Sequence, residues 1–246
     1  MEKITKDERL DYISGTDLKI IQSPSVFSFS IDAILLGKFV RVPIQKGAIL
    51  DLCTGNGVIA LLLTTRTKAT IVGVELQERL IDYALRNRQL NEREEQVQFV
   101  QADLNHLPAS IQKKKYDVVT CNPPYFEAGQ ALEKNLNEHH ALARHEIACT
   151  LDDVIRVCSE QVKYKGKVAI VHRPERLADI LEKMRAYRLE PKRMQLIYPK
   201  EGKPANMVLI EAIKEGQPGL ETLYPLTILN QSGEYSDAFK EVYIEQ

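Results

Sequence analysis

The chain has 246 residues, enough for a full core, and its 44% hydrophobic content is that of an ordinary folded domain. A formal net charge of −1 gives no overall basic character, and the charged amino terminus carries no apolar run long enough to span a bilayer, so a cytosolic protein is expected. The four cysteines lack C-x-x-C spacing, which indicates neither a zinc site nor a disulfide framework and predicts reduced, mostly buried thiols.

In chain order, residues 1–30 read as irregular or as a short hairpin, and residues 31–40 as a helix packed on the core. Strands are predicted near 48–52, 70–75, 96–100, 116–121 and 167–171, with helices near 57–64, 77–90, 151–163 and 174–187. This alternation predicts an α/β fold with a doubly wound, mostly parallel sheet. Two more strands, near 193–198 and 206–212, follow without a long helix between them. The tail from Gly216, with turn residues and a Tyr/Leu pattern, is predicted to pack along the sheet's edge. The chain thus reads as a single domain over 1–246. It has an extension and first helix over 1–45, a core over 46–215 and a tail over 216–246.

The first predicted core strand runs into Asp51-Leu52-Cys53-Thr54-Gly55-Asn56-Gly57 and then an apolar helix. Gly55 and Gly57 permit positive φ and close approach of a ligand to the backbone, and the helix start offers free N–H groups. The second strand ends in Glu75, about 20 residues beyond the glycines, the usual place for an acid on ribose hydroxyls. A third ends near Asp103, where an adenine amine could be read. The glycine spacing also fits a dinucleotide loop, so on this motif alone a nicotinamide cofactor stays open. Asp51 before the glycines would repel a pyrophosphate but not a sulfonium or ammonium cation. Acids at three successive strand ends therefore favour S-adenosylmethionine.

The most informative stretch is Asn122-Pro123-Pro124-Tyr125, directly after the apolar run 118–121. The prolines fix φ near −65° and offer carbonyls without N–H groups, and the Asn122 amide adds another acceptor. Tyr125 supplies a flat stacking surface. Such a set suits a planar group bearing an NH₂, because acceptors that draw on both hydrogens free the nitrogen lone pair to act as a nucleophile. The plainer reading is a tight loop with a capping asparagine and a packed tyrosine.

These residues resemble the class I S-adenosylmethionine-dependent methyltransferases that act on amino groups. More narrowly, the chain is similar to the bacterial tRNA(Val) adenine-37 N6-methyltransferase group of small-domain methyltransferases. The likeness covers residues 27–36, the glycine loop, Glu75, Asp103, 122–126, and the late segments 203–207 and 216–219. It implies a seven-stranded Rossmann-like sheet closed by a C-terminal antiparallel hairpin. For the cofactor it implies Asp51, Cys53, Gly55, Asn56, Gly57, Glu75, Leu76, Asp103, Leu104 and Asn122, together with Ser30 and Asp32. Asn122, Pro123, Pro124 and Tyr125 would serve catalysis, and Tyr125, Phe126, Arg144 and His145 would meet the substrate. Cys53 departs from the family's pattern, since the acid-x-Gly-x-Gly-x-Gly loop usually has its first glycine at that position.

The expected reaction is direct methyl transfer from S-adenosylmethionine to an adenine N6 in RNA, an anticodon-loop adenine of tRNA, by a monomer without metal. An unpaired loop base needs little energy to reach the site. The same tetrapeptide logic fits guanine N2, DNA adenine N6 or a protein glutamine N5, and an inactive cofactor- or RNA-binding protein is the non-enzymatic alternative. Residues 126–148 read as a long loop suited to a substrate-ordered lid; its histidines lack the partners of a metal site. From Lys163 to Lys203 twelve Lys/Arg face five Asp/Glu, whereas from Pro204 to the end two lysines face seven acids. A basic section of this kind attracts phosphate backbones.

Overall fold

A computed structural model describes residues 5, 7–23, 31–124 and 149–243. The chain opens with an antiparallel hairpin, β1 (Arg9–Tyr12) and β2 (Lys19–Gln22), in which Leu10 faces Ile21. Helix α1 (Ile31–Phe39) is apolar almost all round and buried along its length, as a helix covered from several sides must be. At Gly37 it touches Leu62 of α2 (Val58–Thr64), where an added Cβ would stand 2.8 Å from Leu62 Cδ2.

The core then alternates. β3 (Ala48–Leu52) leads into α2, β4 (Thr70–Glu75) into α3 (Glu78–Leu90), and β5 (Val97–Gln101) into a 3₁₀ turn (Leu104–His106) and α4 (Ala109–Gln112). β6 (Tyr116–Cys121) is followed by α5 (Leu151–Gln161), β7 (Val162–His172), a 3₁₀ turn (Pro174–Arg176) and α6 (Leu177–Ala186). A capping box between Thr150 and Asp153 starts α5. β8 (Leu189–Lys200) and β9 (Met207–Lys214) form the expected hairpin. β10 (Glu221–Thr222), β11 (Leu226–Leu229) and α7 (Asp237–Tyr243) complete the described chain.

The sheet order is β10-β8-β9-β7-β6-β3-β4-β5, with β11 also paired to β8. β3 to β8 run parallel, and β9 is the antiparallel strand between β7 and β8. The seven expected strands are all present. The sheet has nine because β10 and β11 add to the outer edge of β8. They are two and four residues long, too short for periodicity to mark them. Side chains alternate across the sheet into two cores, Ile49 and Val118 on the face of α1, α2, α3 and α7, Leu50 and Val119 on the face of α4, α5 and α6. In α6 Ile180 and Met184 are fully buried, and Leu177 and Leu181 pack against the same core. Among the described residues no helix is long and apolar enough to cross a membrane.

Candidate active site

The order in which strands are laid down reverses at β3: the chain moves outward to β4 and β5 and then returns to place β6 on the other side of β3. In such sheets the crevice beyond the carboxyl ends at this switch point is the binding position. Asp51, at the end of β3, is fully buried and accepts from the Thr54 hydroxyl at 2.5 Å and the Thr120 hydroxyl at 2.7 Å. It therefore ties the glycine loop to β6. Burial pushes its carboxyl up to about 7, against two hydroxyl bonds that favour the charged form.

The loop after Asp51 turns through left-handed backbone at Cys53 (φ 55°), Gly55 (φ 58°) and Gly57 (φ 85°). At Gly57 an added Cβ would stand 2.6 Å from the Phe99 ring, so conformation and space both require glycine there. Glu75, 6% exposed, holds the loop from the neighbouring strand: its Oε2 accepts from Gly55 N–H at 2.9 Å and its Oε1 from Gln77 N–H at 3.0 Å. Burial raises this carboxyl too, to about 7. Leu76 beside it is 39% exposed. One strand further, Asp103 accepts from Asn105 N–H at 2.8 Å and lies 3.0 Å from His106 Nδ1. Asn105 in turn accepts from Arg156 of α5 at 2.6 Å, which fixes the turn against that helix. The Leu104 side chain is buried in the core.

Leu52 pairs with Cys121, so Asn122, one step past β6, leaves the sheet at the level where the glycine loop leaves β3. Pro123 is buried, while Asn122 and Pro124 are half-buried. Asp32 sits, buried, in the first turn of α1, and its Oδ1 accepts from Ala33 N–H at 2.8 Å. Gly37 near the other end of α1 accepts from Arg66, just past α2. α1 thus runs alongside α2 and brings Asp32 to the carboxyl edge. Asp51, Cys53, Gly55, Asn56, Gly57, Glu75, Asp103 and Asn122 are brought to one edge. Ser30, Tyr125, Phe126, Arg144 and His145 lie outside the described residues, as does the expected 126–148 lid.

A family model described as a methyltransferase domain matches residues 45–210. The chain belongs to the methyltransferase domain family. One curated relative, a tRNA1(Val) (adenine(37)-N6)-methyltransferase of Aeromonas hydrophila, is 30% identical, with 85% of each chain covered. Another of the same name, from Photobacterium profundum, is 26% identical over 85% of this chain and 87% of its own. Among solved structures, a predicted O-methyltransferase from Agrobacterium tumefaciens superposes with a TM-score of 0.67 at 22% identity, covering 87% of this chain and 95% of that one. That likeness establishes the class I methyltransferase fold, and the chain is an S-adenosylmethionine-dependent methyltransferase.

The residues of this methyltransferase fit that cofactor. Asn56, 1% exposed, has a side-chain amide with no hydrogen-bond partner among the described residues, an orphaned polar group within the loop itself. Two buried carboxyls near 7 stand where a cation would favour their ionised form.

Sequence reasoning missed several parts of the site. Thr120 was read within an apolar run, yet it is a fully buried partner of Asp51; a polar residue in a strand covered on both faces was the available signal. His172, at the end of β7 beside β6, is held neutral by burial, which pushes its pKa down to about 4. Its Nδ1 accepts from Arg173 N–H at 2.8 Å, leaving the proton on Nε2. Cys121 and Cys158 are buried and Cys53 and Cys149 half-buried. The four gather in a row, with Cys53 in hydrogen-bonding reach of Cys121 and Cys149; nothing in their spacing pointed to this. The basic section does not form one patch. Lys163 pairs with Asp117, Lys183 with Asp152, Arg188 with Glu215, and Arg193 with the buried Glu211. Strand direction sends Lys163 and Lys165 to the amino edge and Lys200 and Lys203 to the carboxyl edge.

Proposed function

We propose that this methyltransferase methylates the N6 amine of an adenine in RNA, an anticodon-loop adenine of tRNA. The observation that carries the reading is the Asn122-Pro123-Pro124 segment leaving β6 at the switch point, one step from the glycine loop. The curated relatives of the tRNA1(Val) (adenine(37)-N6) group support the substrate. We also take the protein to act as a cytoplasmic monomer without metal.

In this reading Glu75 holds the ribose hydroxyls, Asp103 the adenine amine and the Gly55–Gly57 backbone the methionine part, with Leu76, Leu104, Ser30 and Asp32 lining the pocket. Cys53 and Asn56 complete the loop, and Asp51 keeps it in place through Thr54 and Thr120. When bound, S-adenosylmethionine supplies an electrophilic methyl group on a sulfonium. Asn122 Oδ1 and the Pro123 carbonyl accept the two hydrogens of the target amine, which turns the nitrogen lone pair out of conjugation. Pro124 stiffens the segment and Tyr125 stacks on the base, with Phe126, Arg144 and His145 at the substrate's rim. Holding two reactants in line can supply up to about 7–11 kcal/mol of the barrier. The alkylated amine is acidic enough to release its proton to water, so no strong base is required.

The test is incubation of the purified protein with labelled S-adenosylmethionine and tRNA from a strain lacking the gene, followed by nucleoside mass spectrometry. N6-methyladenosine in the tRNA fraction is expected. A methylated guanine, or label appearing only in protein glutamine, would replace the adenine reading.

A further inference from the structure

Asn87 of helix α3 and Asn91, the residue that caps its C-terminus, stand one turn apart on the face turned toward β2. Asn91 Oδ1 accepts from Lys19 N–H at 2.9 Å and its Nδ2 donates to Lys19 C=O at 2.7 Å. Asn87 repeats the pattern two strand residues on: Oδ1 accepts from Ile21 N–H at 2.6 Å and Nδ2 donates to Ile21 C=O at 3.2 Å. Four residues of helix rise about 6 Å and two residues of strand about 6.7 Å, so the two amides meet alternate residues of one strand edge. The side chains thus stand in for a third strand, and the hairpin docks on a helix as if on a sheet.

The two rungs differ in one respect. The second Nδ2 hydrogen of Asn91 returns to its own helix, at Asn87 C=O (2.7 Å). That of Asn87 goes to Asn56 C=O at 3.0 Å, inside the glycine loop. Asn87 is fully buried, and these three bonds use both of its donors and its oxygen. The carbonyl it holds lies between Gly55 and Gly57, both in left-handed backbone, and the N–H of the same peptide donates to Thr54 C=O at 2.9 Å, so Asn87 supplies its second tie. Glu75 fixes the Gly55 N–H on the other side of the same loop.

We propose that Asn87 is a positioning residue for cofactor binding, setting the Asn56 peptide of the glycine loop from beneath and coupling it to the docked N-terminal hairpin. The inference rests on the reading of this loop as the methionine side of the cofactor site. A loop held in its bound shape before binding avoids the ordering cost at the moment of association. Loss of the contact therefore weakens S-adenosylmethionine binding and leaves the transfer step intact.

Calorimetric titration of S-adenosylmethionine into the full chain, with steady-state KM and kcat, separates loop from hairpin through Asn87→Ala and Asn91→Ala. Asn87→Ala is expected to raise the Kd and the cofactor KM about tenfold, with kcat at saturation within twofold of wild type. Asn91→Ala removes the other hairpin rung and a bond to Asn87 C=O but no bond to the glycine loop, and is expected to keep the Kd within about twofold. Unchanged affinity in Asn87→Ala would overturn the proposal, as would equal losses in both variants, which would make hairpin docking the cause. If Asn87→Ala does not fold, Asn87→Ser takes its place, since its shorter hydroxyl does not reach the Asn56 carbonyl. A wild-type protein that fails to bind S-adenosylmethionine would instead remove the reading of the loop on which the inference rests.

Discussion

On the β3–β4 side of the switch point, Asp51 and Glu75 are 0% and 6% exposed, and each carboxylate is bonded by groups of the protein itself. On the β6 side, Asn122 is half-buried and followed by two prolines that contribute carbonyls without donors. One half holds its two buried carboxylates with hydrogen bonds from the protein itself. The other ends in two prolines, which bring carbonyls and no N–H donors to the same edge. Binding strength and transfer rate are therefore separable by mutation, and the contrast can be tested from either side.

The largest break is expected on the β6 side. Asn122→Ala removes one oriented acceptor and is expected to lower kcat by roughly 10²–10³, by analogy with the loss of a single oriented group at a reacting centre. Single-turnover rates measure this, and calorimetry should find the S-adenosylmethionine Kd close to wild type. Full turnover in the variant would remove Asn122 from the transfer step.

The corresponding break on the β3 side is structural. Asp51→Ala strands the buried hydroxyls of Thr54 and Thr120 and is expected to cost about 2–4 kcal/mol in urea unfolding. Asp51→Asn keeps one carbonyl acceptor and should lose less. An unchanged midpoint for Asp51→Ala would mean that the loop is held elsewhere.

Tyr125 belongs to the β6 side by sequence. Tyr125→Ala is expected to weaken use of the RNA by about 1–3 kcal/mol in kcat/KM, the range for base–aromatic stacking, and Tyr125→Phe to be nearly neutral. Equal damage from both substitutions would point to the hydroxyl instead of the ring.

The pH dependence sharpens the same contrast. Asp51 and Glu75 have folded-state pKa values near 7, above those of unfolded carboxyls. Their contribution to the stability of the cofactor-free protein is full below about pH 4, declines as the pH rises and is lost above about 7. A bound cation favours the ionised carboxylates. The Tm gain from S-adenosylmethionine should therefore be larger near pH 8 than near pH 5.5, and the opposite order would show that the cation does not feel these acids.

Local chemistry was readable in the sequence wherever a residue and its neighbours in the chain make the feature. The glycine loop, the acid ending β4 and the Asn122-Pro123-Pro124 turn each declare themselves within seven residues or fewer. Parts made by distant segments were not readable. Thr120 meets Asp51 across 69 residues and Asn87 meets Ile21 across 66, and neither pairing leaves a periodic trace. Asn87 did break the polarity pattern of α3, a buried amide on an otherwise apolar face, and that irregularity was the clue available. β10 and β11 were unreadable for a different reason: they exist only because the edge of β8 accepts them.

The smallest effect lies at Cys53, where the sequence resemblance implies a glycine. Its φ of 55° falls in the left-handed region, which costs a residue with a Cβ about 1–2 kcal/mol relative to glycine. Cys53→Gly relieves that strain but also gives the unfolded chain more freedom, a loss of about 0.4–1 kcal/mol. The two nearly offset, so the unfolding midpoint should move by less than about 1 kcal/mol. Cys53→Val places a β-branched residue where left-handed backbone is a true outlier, and it should destabilise by clearly more. The cofactor reports what stability does not: with the Cβ gone the backbone can approach the methionine part more closely, and Cys53→Gly is expected to lower the S-adenosylmethionine Kd by a factor of about two to five. Weaker binding by Cys53→Gly would show that the thiol, in reach of Cys121 and Cys149, steadies the loop more than its strain disturbs it.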